Sequence, residues 1–574
     1  MANQFNSYAV NAPKKNRFRG LSHSVKFTAN MGNAIPLLVQ DVIPNDTFKV
    51  SVSSLVRFAP LISPILSEVD VYFHAFFVPD RIIWSKAEDF YTGAHNGVQL
   101  APEDVPQRPR LYFKGDAVLS LYNNGYLTTS SLADYLGFQP ITDIDSIDNN
   151  NAAVDLDAMP FRAYLRIWYD YYRDENLSYD NMASGSAYGD TLQEIWDSSG
   201  YENYSNASFA NTTIPLLMKL RKRAWKKDYF TSALPFSQKG SDILIPSSIS
   251  GSASLTRNGT RDFVTFGLPV GASVPSGTTL NSGLDTINGS SSGSVSFIPR
   301  FGSNTNAYFG LNLGNFSIDG SGFVNEGTIR DLRRAMAAQR FLERRAVGGS
   351  RYQEQNLAMF GIKGSDARLQ RAEYLGGIKN PVVVSQLLQT SETTSSSPQG
   401  TPSGNAVSAG SGFLFKRTFE EYGWIMVIMS VIPKADYMEG TPRMYLRKDV
   451  YDYYWPQFAR IGEQPIYNAE LYTEYESRSY NDNGNNYGTF GYTPRYAEYR
   501  FRNNRVCGDF KSSMNSWTLA RSFSGIPKLT GAFVECNPSN RIFAVTKGNL
   551  DHLWCEAYFN VDAIRPVVKY AENL

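Results

Sequence analysis

Two segments near the amino terminus, FKVSVSSLVRF at residues 48–58 and VDVYFHAFFV at residues 69–78, indicate the fold class. In the first segment apolar and polar residues alternate, which is typical of a half-buried β-strand. The second segment is apolar at odd and even positions alike, apart from Asp70 and His74, and a proline follows it. A strand of this kind needs cover on both faces, so we predict a central strand of a buried sheet.

Further predicted strands lie toward the carboxyl terminus, so the strands are split between the two ends of the chain. They cover residues 422–432, 496–502, 516–522, 541–546 and 553–561. If both groups belong to one sheet system, the residues between them are insertions, as in a jelly roll with long loops. Apolar residues at helical spacing predict two helices within the insertions, at 161–173 and 328–346.

Two stretches differ in composition from the rest of the chain. Between residues 240 and 327, 47 of 88 residues are Gly, Ser, Thr or Asn and only eight are charged, yet aromatic and aliphatic residues are interspersed. This composition predicts a large folded surface excursion. Between residues 391 and 412, 17 of 22 residues are Gly, Ser, Thr, Asn or Pro, which predicts a mobile loop.

The charge balance excludes bulk electrostatic attraction as a mode of binding. The 55 Lys and Arg residues nearly cancel the 54 Asp and Glu residues, so contact with nucleic acid has to come from local basic clusters. The three cysteines are widely spaced and include no CxxC pair, which argues against a disulfide framework and a zinc site and favours a reducing compartment. Because the amino terminus lacks the apolar run of a signal peptide, we expect the protein to be made and used in the cytoplasm.

No motif in the sequence indicates catalysis, a metal or a cofactor. The four histidines, His23, His74, His95 and His552, include no pair at the spacing of helical metal ligands. His74, within an apolar strand, is best interpreted as a packed, hydrogen-bonded residue. The segment GSSSG at 289–293 matches a nucleophile elbow only formally, because it lies in a serine-rich tract. We therefore predict no catalytic residues, no metal ligands and no cofactor.

Two basic clusters that include aromatic residues are the candidate nucleic-acid contacts. Cations contact phosphates and aromatic faces stack on unpaired bases, a combination suited to single-stranded nucleic acid. The first cluster is Lys14, Lys15, Arg17, Phe18 and Arg19, and the second is Arg221, Lys222, Arg223, Trp225, Lys226 and Lys227. A solvated arm and an ion-pair patch at a subunit interface are the alternative interpretations of these clusters.

Several segments, spread in order from about residue 20 to 545, carry a family resemblance. They include LVRFAPLISPI at 55–65, MPFRAYLRIWYDYYRDENL at 159–177, KKDYFTSALPF at 226–236, FEEYGWIMVIMSVIPKADYMEGTPRMY at 419–445 and NPSNRIFAV at 537–545. As an ordered set they resemble the major capsid proteins of the Microviridae, particularly the gokushovirus-like branch.

The resemblance implies an all-β fold, an eight-stranded antiparallel viral jelly roll (a β-sandwich) with long, partly helical insertions between its strands. The strands would lie mainly within residues 20–90 and 413–565 of a single capsid domain spanning residues 1–574. Sixty copies would form a T=1 icosahedral shell around a circular single-stranded DNA genome in the virion, after assembly in the host cytoplasm. Other implied partners are an internal scaffolding protein, a DNA pilot protein and a small basic DNA-packaging protein.

The resemblance also implies a role for the Gly/Ser/Thr/Asn-rich stretch. In gokushovirus-like relatives a long insertion follows a DYFTSALP-type segment and projects outward near the three-fold axes, where it meets the host. Residues 228–235 match that segment, and the stretch at 240–327 follows it. We therefore expect this stretch to be an outward surface insertion that contacts a host surface receptor.

A carbohydrate-active β-sandwich enzyme and a phage spike or attachment protein are the alternative functions. An enzyme could use carboxylate pairs such as Glu420 with Glu421, or Asp449 with Asp452. A chain with 54 acidic residues contains such pairs by chance, so solvated strand or loop ends are the simpler interpretation.

Overall fold

The computed structural model of the chain describes most residues from 14 to 569. The described ranges are 14–95, 98–142, 153–177, 201–204, 217–241, 243, 249–250, 254–257, 316–319, 324–325, 329–349, 351–390, 392–393, 398–459, 462–475, 485–545 and 550–569. The chain divides into two compact units, one of Met1–Ser241 with Arg340–Leu574 and the other of Asp242–Gln339.

Among the described residues, ten strands of the first unit build two large antiparallel sheets. They are β1 (Asn16–Phe18), β2 (His23–Ala29), β3 (Ile35–Val42), β4 (Thr47–Phe58), β5 (Val69–Pro79), β6 (Glu373–Pro381), β7 (Val383–Leu388), β8 (Pro402–Thr418), β9 (Gly423–Pro433) and β10 (Leu553–Arg565). The first sheet has the order β2–β10–β4–β8–β7, with β1 also paired to β10, and the second has the order β6–β5–β9–β3. Strands from both ends of the chain share the sheets, as expected.

The main core lies between the two sheets. Side chains alternate in burial along β4, and Phe48, Val50 and Val52 are at most 1% exposed. They pack in one cluster with Phe73 of β5 and Phe559 of β10, so residues of both sheets fill the same interior. Burying a side chain of this kind stabilises a fold by about 1.5–3 kcal/mol relative to leaving it exposed. The two sheets are therefore the layers of a β-sandwich.

The second sheet is also covered on its outer face. Phe76 and Val78 of β5 lie outside the sandwich core, in a second cluster with Trp84, Phe161 and Tyr164. The last three residues belong to the long connection between β5 and β6. The helices described in that connection are α1 (Ala87–Thr92), α2 (Asp116–Asn123), α3 (Leu132–Tyr135), α4 (Ala158–Ile167), α5 (Ile329–Val347) and α6 (Tyr352–Phe360). The prediction of a central strand covered on both faces is thus confirmed.

Shorter elements occupy the connections. The paired strands of the first unit are Ala94–His95 with Val98–Gln99, Arg110–Lys114 with Ala153–Asp157 and with Tyr201–Tyr204, Asp436–Tyr437 with Asn504–Arg505, and Glu463–Tyr467 with Thr489–Pro494. The described part of the connection between β9 and β10 includes two short α-helices, α7 (Asn468–Leu471) and α8 (Gly531–Val534). Within the described ranges, no helix combines the length and the apolar composition that crossing a bilayer requires.

The second unit contains two short antiparallel pairs among its described residues. Ile249–Ser250 pairs with Val324–Asn325, and Ser254–Arg257 pairs with Phe316–Asp319. The remaining residues of the predicted surface excursion at 240–327 lie almost entirely outside the described ranges.

Both predicted helices are present. Helix α5 covers the prediction at 328–346 to within one residue at each end. Helix α4 begins before the predicted start at 161, because the Asp157 carboxylate caps it by accepting a hydrogen bond from the Met159 backbone N–H at 2.9 Å. A π-helical turn at Trp168–Tyr172 extends it to one residue before the predicted end at 173.

Three predicted strands are wrong. The predictions at 48–58, 69–78, 422–432 and 553–561 correspond to β4, β5, β9 and β10. By contrast, 3₁₀ turns at Ala497–Tyr499, Asn515–Trp517 and Asn540–Ile542 overlap the predictions at 496–502, 516–522 and 541–546, of which residue 546 lies outside the described ranges. Tyr496 has a φ of 62°, a left-handed conformation that no strand accepts. The Arg541 guanidinium donates to the carbonyl oxygens of Thr518 at 2.9 Å and Ala520 at 2.7 Å, so a side chain binds carbonyls that a strand would offer to a neighbouring strand.

The glycine-rich strands also differ from the sequence-based prediction. The predicted mobile loop at 391–412 is wrong for residues 402–412, which belong to β8, while residues 391 and 394–397 lie outside the described ranges. Strands β6 and β7 are not predicted at all. Strands of the two sheets therefore extend beyond residues 20–90 and 413–565. The reason is close backbone approach: a Cβ on Gly376 would lie 2.3 Å from the carbonyl oxygen of Leu414, and one on Gly410 would lie 2.4 Å from Asn380.

Replacing Gly404 of β8 by alanine should destabilise the sandwich. The new Cβ would lie 2.7 Å from the Ser63 carbonyl oxygen and 2.8 Å from Pro64 Cα, both backbone atoms that have to move. We expect a loss of about 1–3 kcal/mol in the free energy of unfolding, measured in urea on the purified chain. Ser411→Ala, at an exposed position of the same strand, is the matched control and should change this value by less than about 0.5 kcal/mol. Equal effects of the two changes would contradict the close approach.

Candidate nucleic-acid interface

The first basic cluster lies in and directly beside β1, a short strand of the first sheet. Strand β1 pairs with the end of β10, with Arg17 opposite Ile564 and Phe18 opposite Ala563. Lys14, Lys15 and Arg19 are exposed, and none of the three has an ion-pair partner in the described part of the chain. These three cations are therefore available to an anionic ligand.

Arg17 has a different role, because it binds an acidic residue of the same sheet. Its Nε donates to Asp562 Oδ1 at 2.6 Å, and a second guanidinium nitrogen donates to Oδ2. These hydrogen bonds, together with the charge of Arg17, lower the pKa of the Asp562 carboxyl below its ordinary value. The pair holds β1 against β10 and neutralises Arg17, which leaves less of its charge for a nucleic acid.

The second basic cluster is largely internal. The side chains of Arg221 and Trp225 are 3% and 4% exposed. The Arg221 guanidinium lies over the Trp168 ring at 4.7 Å, and the Arg521 guanidinium lies over the Trp225 ring at 5.3 Å. Arg221 and Trp225 are therefore packing residues in this structure and are not accessible to a phosphate or a base.

The other cations of this cluster, except Lys226, bind groups of the same chain. Lys222 Nζ donates to Asn537 Oδ1 at 2.7 Å, and Arg223 donates to Ser430 Oγ at 3.2 Å. Lys227 forms an ion pair with Asp174, whose side chain is 3% exposed. Lys226 is exposed and has no ion-pair partner within the described ranges. The contacts of this cluster are thus mainly within one chain, and Lys226 is its most openly exposed cation.

His74 packs beside this cluster and has no partner of the metal-binding type. Its Nδ1 lies 3.0 Å from the Tyr172 hydroxyl, and the two rings stack at 6.0 Å. Burial, followed by the nearby Arg223 charge, lowers the pKa of His74 to about 4, so the ring is neutral at neutral pH. The interpretation of His74 as a packed, hydrogen-bonded residue is confirmed. In the described part of the chain, no cluster of three or more His, Cys, Asp or Glu side chains could hold a metal ion.

A third basic and aromatic segment, RYAEYRFRNNR at 495–505, is not among the predicted nucleic-acid contacts. Its alternation suggests a strand, but the chain forms a turn there, and Arg500, Arg502 and Arg505 are exposed. Phe501 is 61% exposed beside them. Like the first two clusters, this segment interleaves cations with aromatic rings, so the same sequence pattern identifies it as a candidate nucleic-acid contact.

Comparisons with known proteins agree over the whole chain. The family model described as "Capsid protein (F protein)" matches residues 10–573. Capsid protein VP1 of Chlamydia phage 1 is 32% identical to the chain, with 100% of this chain and 97% of that protein covered. Capsid protein VP1 of Spiroplasma virus 4 is 30% identical over 96% of this chain and 94% of that protein, and VP1 of Bdellovibrio phage phiMH2K is 29% identical over 99% and 96%.

Neutralising the exposed cations of the first cluster should weaken binding to single-stranded DNA. In the variant with Lys14, Lys15 and Arg19 changed to glutamine, we expect the slope of log K against log salt concentration to fall by about 2, since each phosphate contact to a single strand contributes about 0.7. The measurement is fluorescence anisotropy with a labelled thymidine oligonucleotide. The control changes Lys363, Arg368 and Lys416, three exposed cations elsewhere, and should keep the original slope. Equal slopes for the two variants would support the solvated-arm interpretation.

Proposed function

The chain belongs to the capsid protein (F protein) family, the major capsid proteins of Microviridae phages, and on that premise we propose that sixty copies form a T=1 icosahedral shell around a circular single-stranded DNA genome. The observation that carries the proposal is the family match over residues 10–573, nearly the full length of the chain. The protein is accordingly a structural subunit of the virion and not an enzyme.

The sandwich fits an eight-stranded viral jelly roll. Four of its strands, β2, β10, β4 and β8, are neighbours in the first sheet, and four, β6, β5, β9 and β3, are neighbours in the second. Along the chain, β2 to β5 alternate between the sheets, and so do β8, β9 and β10. This alternation is the arrangement that rolls a chain into a jelly roll. Strands β1 and β7 then extend the first sheet at its two edges.

Exposed aromatic side chains support assembly into a shell. Tyr445, Tyr451 and Trp455, in the connection between β9 and β10, are 66%, 68% and 43% exposed in the single subunit. Tyr and Trp are enriched where proteins associate. In a closed shell such surfaces are covered by neighbouring copies, and closure prevents open-ended growth.

The near-neutral charge suits a shell that shares the task of holding DNA. With a net charge of +1, the chain offers its genome only local cations. We therefore include a small basic DNA-packaging protein, an internal scaffolding protein and a DNA pilot protein among its partners, and we place assembly in the host cytoplasm.

The stretch at 240–327 is proposed to face outward and contact a host surface receptor. Its support is that Asp242–Gln339 form a compact unit of their own, and that the stretch carries few charges and many small polar residues. Variable, surface-exposed loops are the usual place for recognition on a rigid scaffold.

Electron microscopy of the purified protein, or of particles that carry it, tests the shell directly. We expect closed icosahedral particles of one size, because family membership, the sandwich and the exposed aromatic side chains all favour closed assembly. A fibrous trimer would instead identify a spike or attachment protein and overturn the proposal. A monomer at every protein concentration would overturn it as well.

Deleting residues 241–326 should separate assembly from attachment. Because these residues lie almost wholly within the second unit, we expect the shortened chain to remain soluble and to form shells. Adsorption of the resulting particles to host cells, measured as the fraction of particles that sediment with cells, should be lost. Loss of all folded protein would show that the stretch belongs to the core, and normal adsorption would reject its role in attachment.

A further inference from the structure

A pocket of about 300 Å³ lies mainly in the connection between β9 and β10, and Tyr229 and Phe230, which follow the second basic cluster in the chain, also line it. Its wall includes four arginines, Arg443, Arg447, Arg502 and Arg505, against two acidic residues, Glu470 and Glu498. We propose that this arginine pocket holds one nucleotide unit of a single-stranded DNA, with a phosphate at the mouth and a base stacked on the adjoining aromatic rings. The proposal rests on the proposed function, which supplies the nucleic acid.

The floor of the arginine pocket is electrically balanced. Arg443 lies 2.9 Å from Glu470 and 3.8 Å from Glu498, and Arg447 lies 3.7 Å from Glu498. The Tyr229 hydroxyl also donates to Glu470 at 2.9 Å. These four charged side chains are at most 11% exposed. Two cations therefore cancel two carboxylates, and the floor serves as a rigid support.

The mouth of the pocket carries the excess charge. Arg502 and Arg505 are both exposed, and neither has a hydrogen-bonded or ion-paired side-chain partner among the described residues. The segment is nevertheless held in place: Asn504–Arg505 pairs with Asp436–Tyr437, the Val506 N–H donates to the Tyr437 carbonyl at 3.0 Å, and Asn503, beside Arg502, accepts a hydrogen bond from the Tyr229 N–H at 3.4 Å. Two unpaired guanidinium groups on a fixed segment form an anion site suited to the bidentate contacts that arginine makes with phosphate.

Two exposed aromatic rings flank these arginines. Tyr499 and Phe501 line the pocket and are 50% and 61% exposed. The Arg447 guanidinium lies over the Tyr499 ring at 4.6 Å, which holds that ring in place from the floor side. An exposed ring held beside a cation is the arrangement on which unpaired bases stack.

The combination favours single-stranded DNA over an acidic segment of a neighbouring subunit. An acidic peptide would use the arginines but would leave Tyr499 and Phe501 exposed, whereas a nucleotide uses both. A double helix would keep its base faces stacked inside and could not reach the rings. The volume of about 300 Å³ is at the small end of ligand sites, which fits a single nucleotide unit.

The charged part of the site is tested with the variant Arg502→Gln/Arg505→Gln in the full chain, using a labelled thymidine 12-mer. We expect weaker binding and a slope of log K against log salt concentration smaller by about 1.4, the contribution of two phosphate contacts to a single strand. The matched control, Arg57→Gln/Arg368→Gln, removes two exposed arginines elsewhere and should keep the original slope. Equal binding by the two variants would overturn the proposal.

The aromatic part is tested with Tyr499→Leu/Phe501→Leu and a 12-mer that lacks bases. We expect this variant to bind the thymidine 12-mer about tenfold more weakly than the original chain, since stacking on protein aromatic rings strengthens binding of each base. Both proteins should bind the abasic strand equally. A similar loss on both strands would show that the rings act only through the fold and would overturn the stacking contact.

Particle formation by both variants, seen by electron microscopy, distinguishes the possible failures. Normal shells with unchanged DNA binding reject the arginine pocket and leave the proposed function standing. Loss of shells with unchanged DNA binding assigns this surface to the contact between subunits and also rejects the pocket. Absence of shells with the original chain rejects the proposed function itself.

Discussion

Strands β5 and β9 form eleven consecutive antiparallel pairs, from Gly423 opposite Pro79 to Pro433 opposite Val69. Both faces of this ladder are buried, with Phe73 in the sandwich core and Phe76 in the outer cluster. An apolar sheet face open to water would be costly, so the connection between β5 and β6 has to fold back over it. Helices α1 to α4 of that connection pack in the outer cluster, and the position of the second basic cluster, whose Arg221 lies over Trp168 of the same cluster, depends on this two-sided burial.

Several arginines are internal because they contact partners within the same subunit. Arg221 lies over Trp168, and Arg443 lies between Glu470 and Glu498, so each guanidinium has an aromatic or acidic partner in its own subunit. Arginine tolerates such sites because it is weakly hydrated and stacks on rings. With a net charge of +1, the subunit offers DNA only local groups of cations, and those proposed to bind it lie at the amino-terminal arm and at the mouth of the arginine pocket. The proposed contacts with the genome therefore depend on local groups of cations and not on the net charge of the subunit.

Sequence periodicity predicted the strands whose side chains alternate regularly between core and solvent, or are buried on both sides. Strands β4, β5, β9 and β10 belong to this class. It failed for β8, where glycines are required because Gly404 and Gly410 pass within contact distance of other backbone and side-chain atoms. It failed again at 541–546, where hydrogen bonds from Arg541 to backbone carbonyls support a turn. Local pattern cannot report contacts made with residues far along the chain.

The amino-acid sequence by itself determined the β-rich class, strands β4, β5, β9 and β10, the helices at 161–173 and 328–346, and the family to which the protein belongs. The strands and helices follow from the spacing of apolar and polar residues along the chain, and the family follows from an ordered set of sequence segments. Both can be recognised without knowing which residues are in contact. Only the tertiary structure decided which cations are exposed. Arg221 and Arg502 are the same residue type in similar basic and aromatic surroundings, yet one is 3% exposed and the other lies at the surface. Burial depends on the elements packed from distant parts of the chain, and composition does not record them.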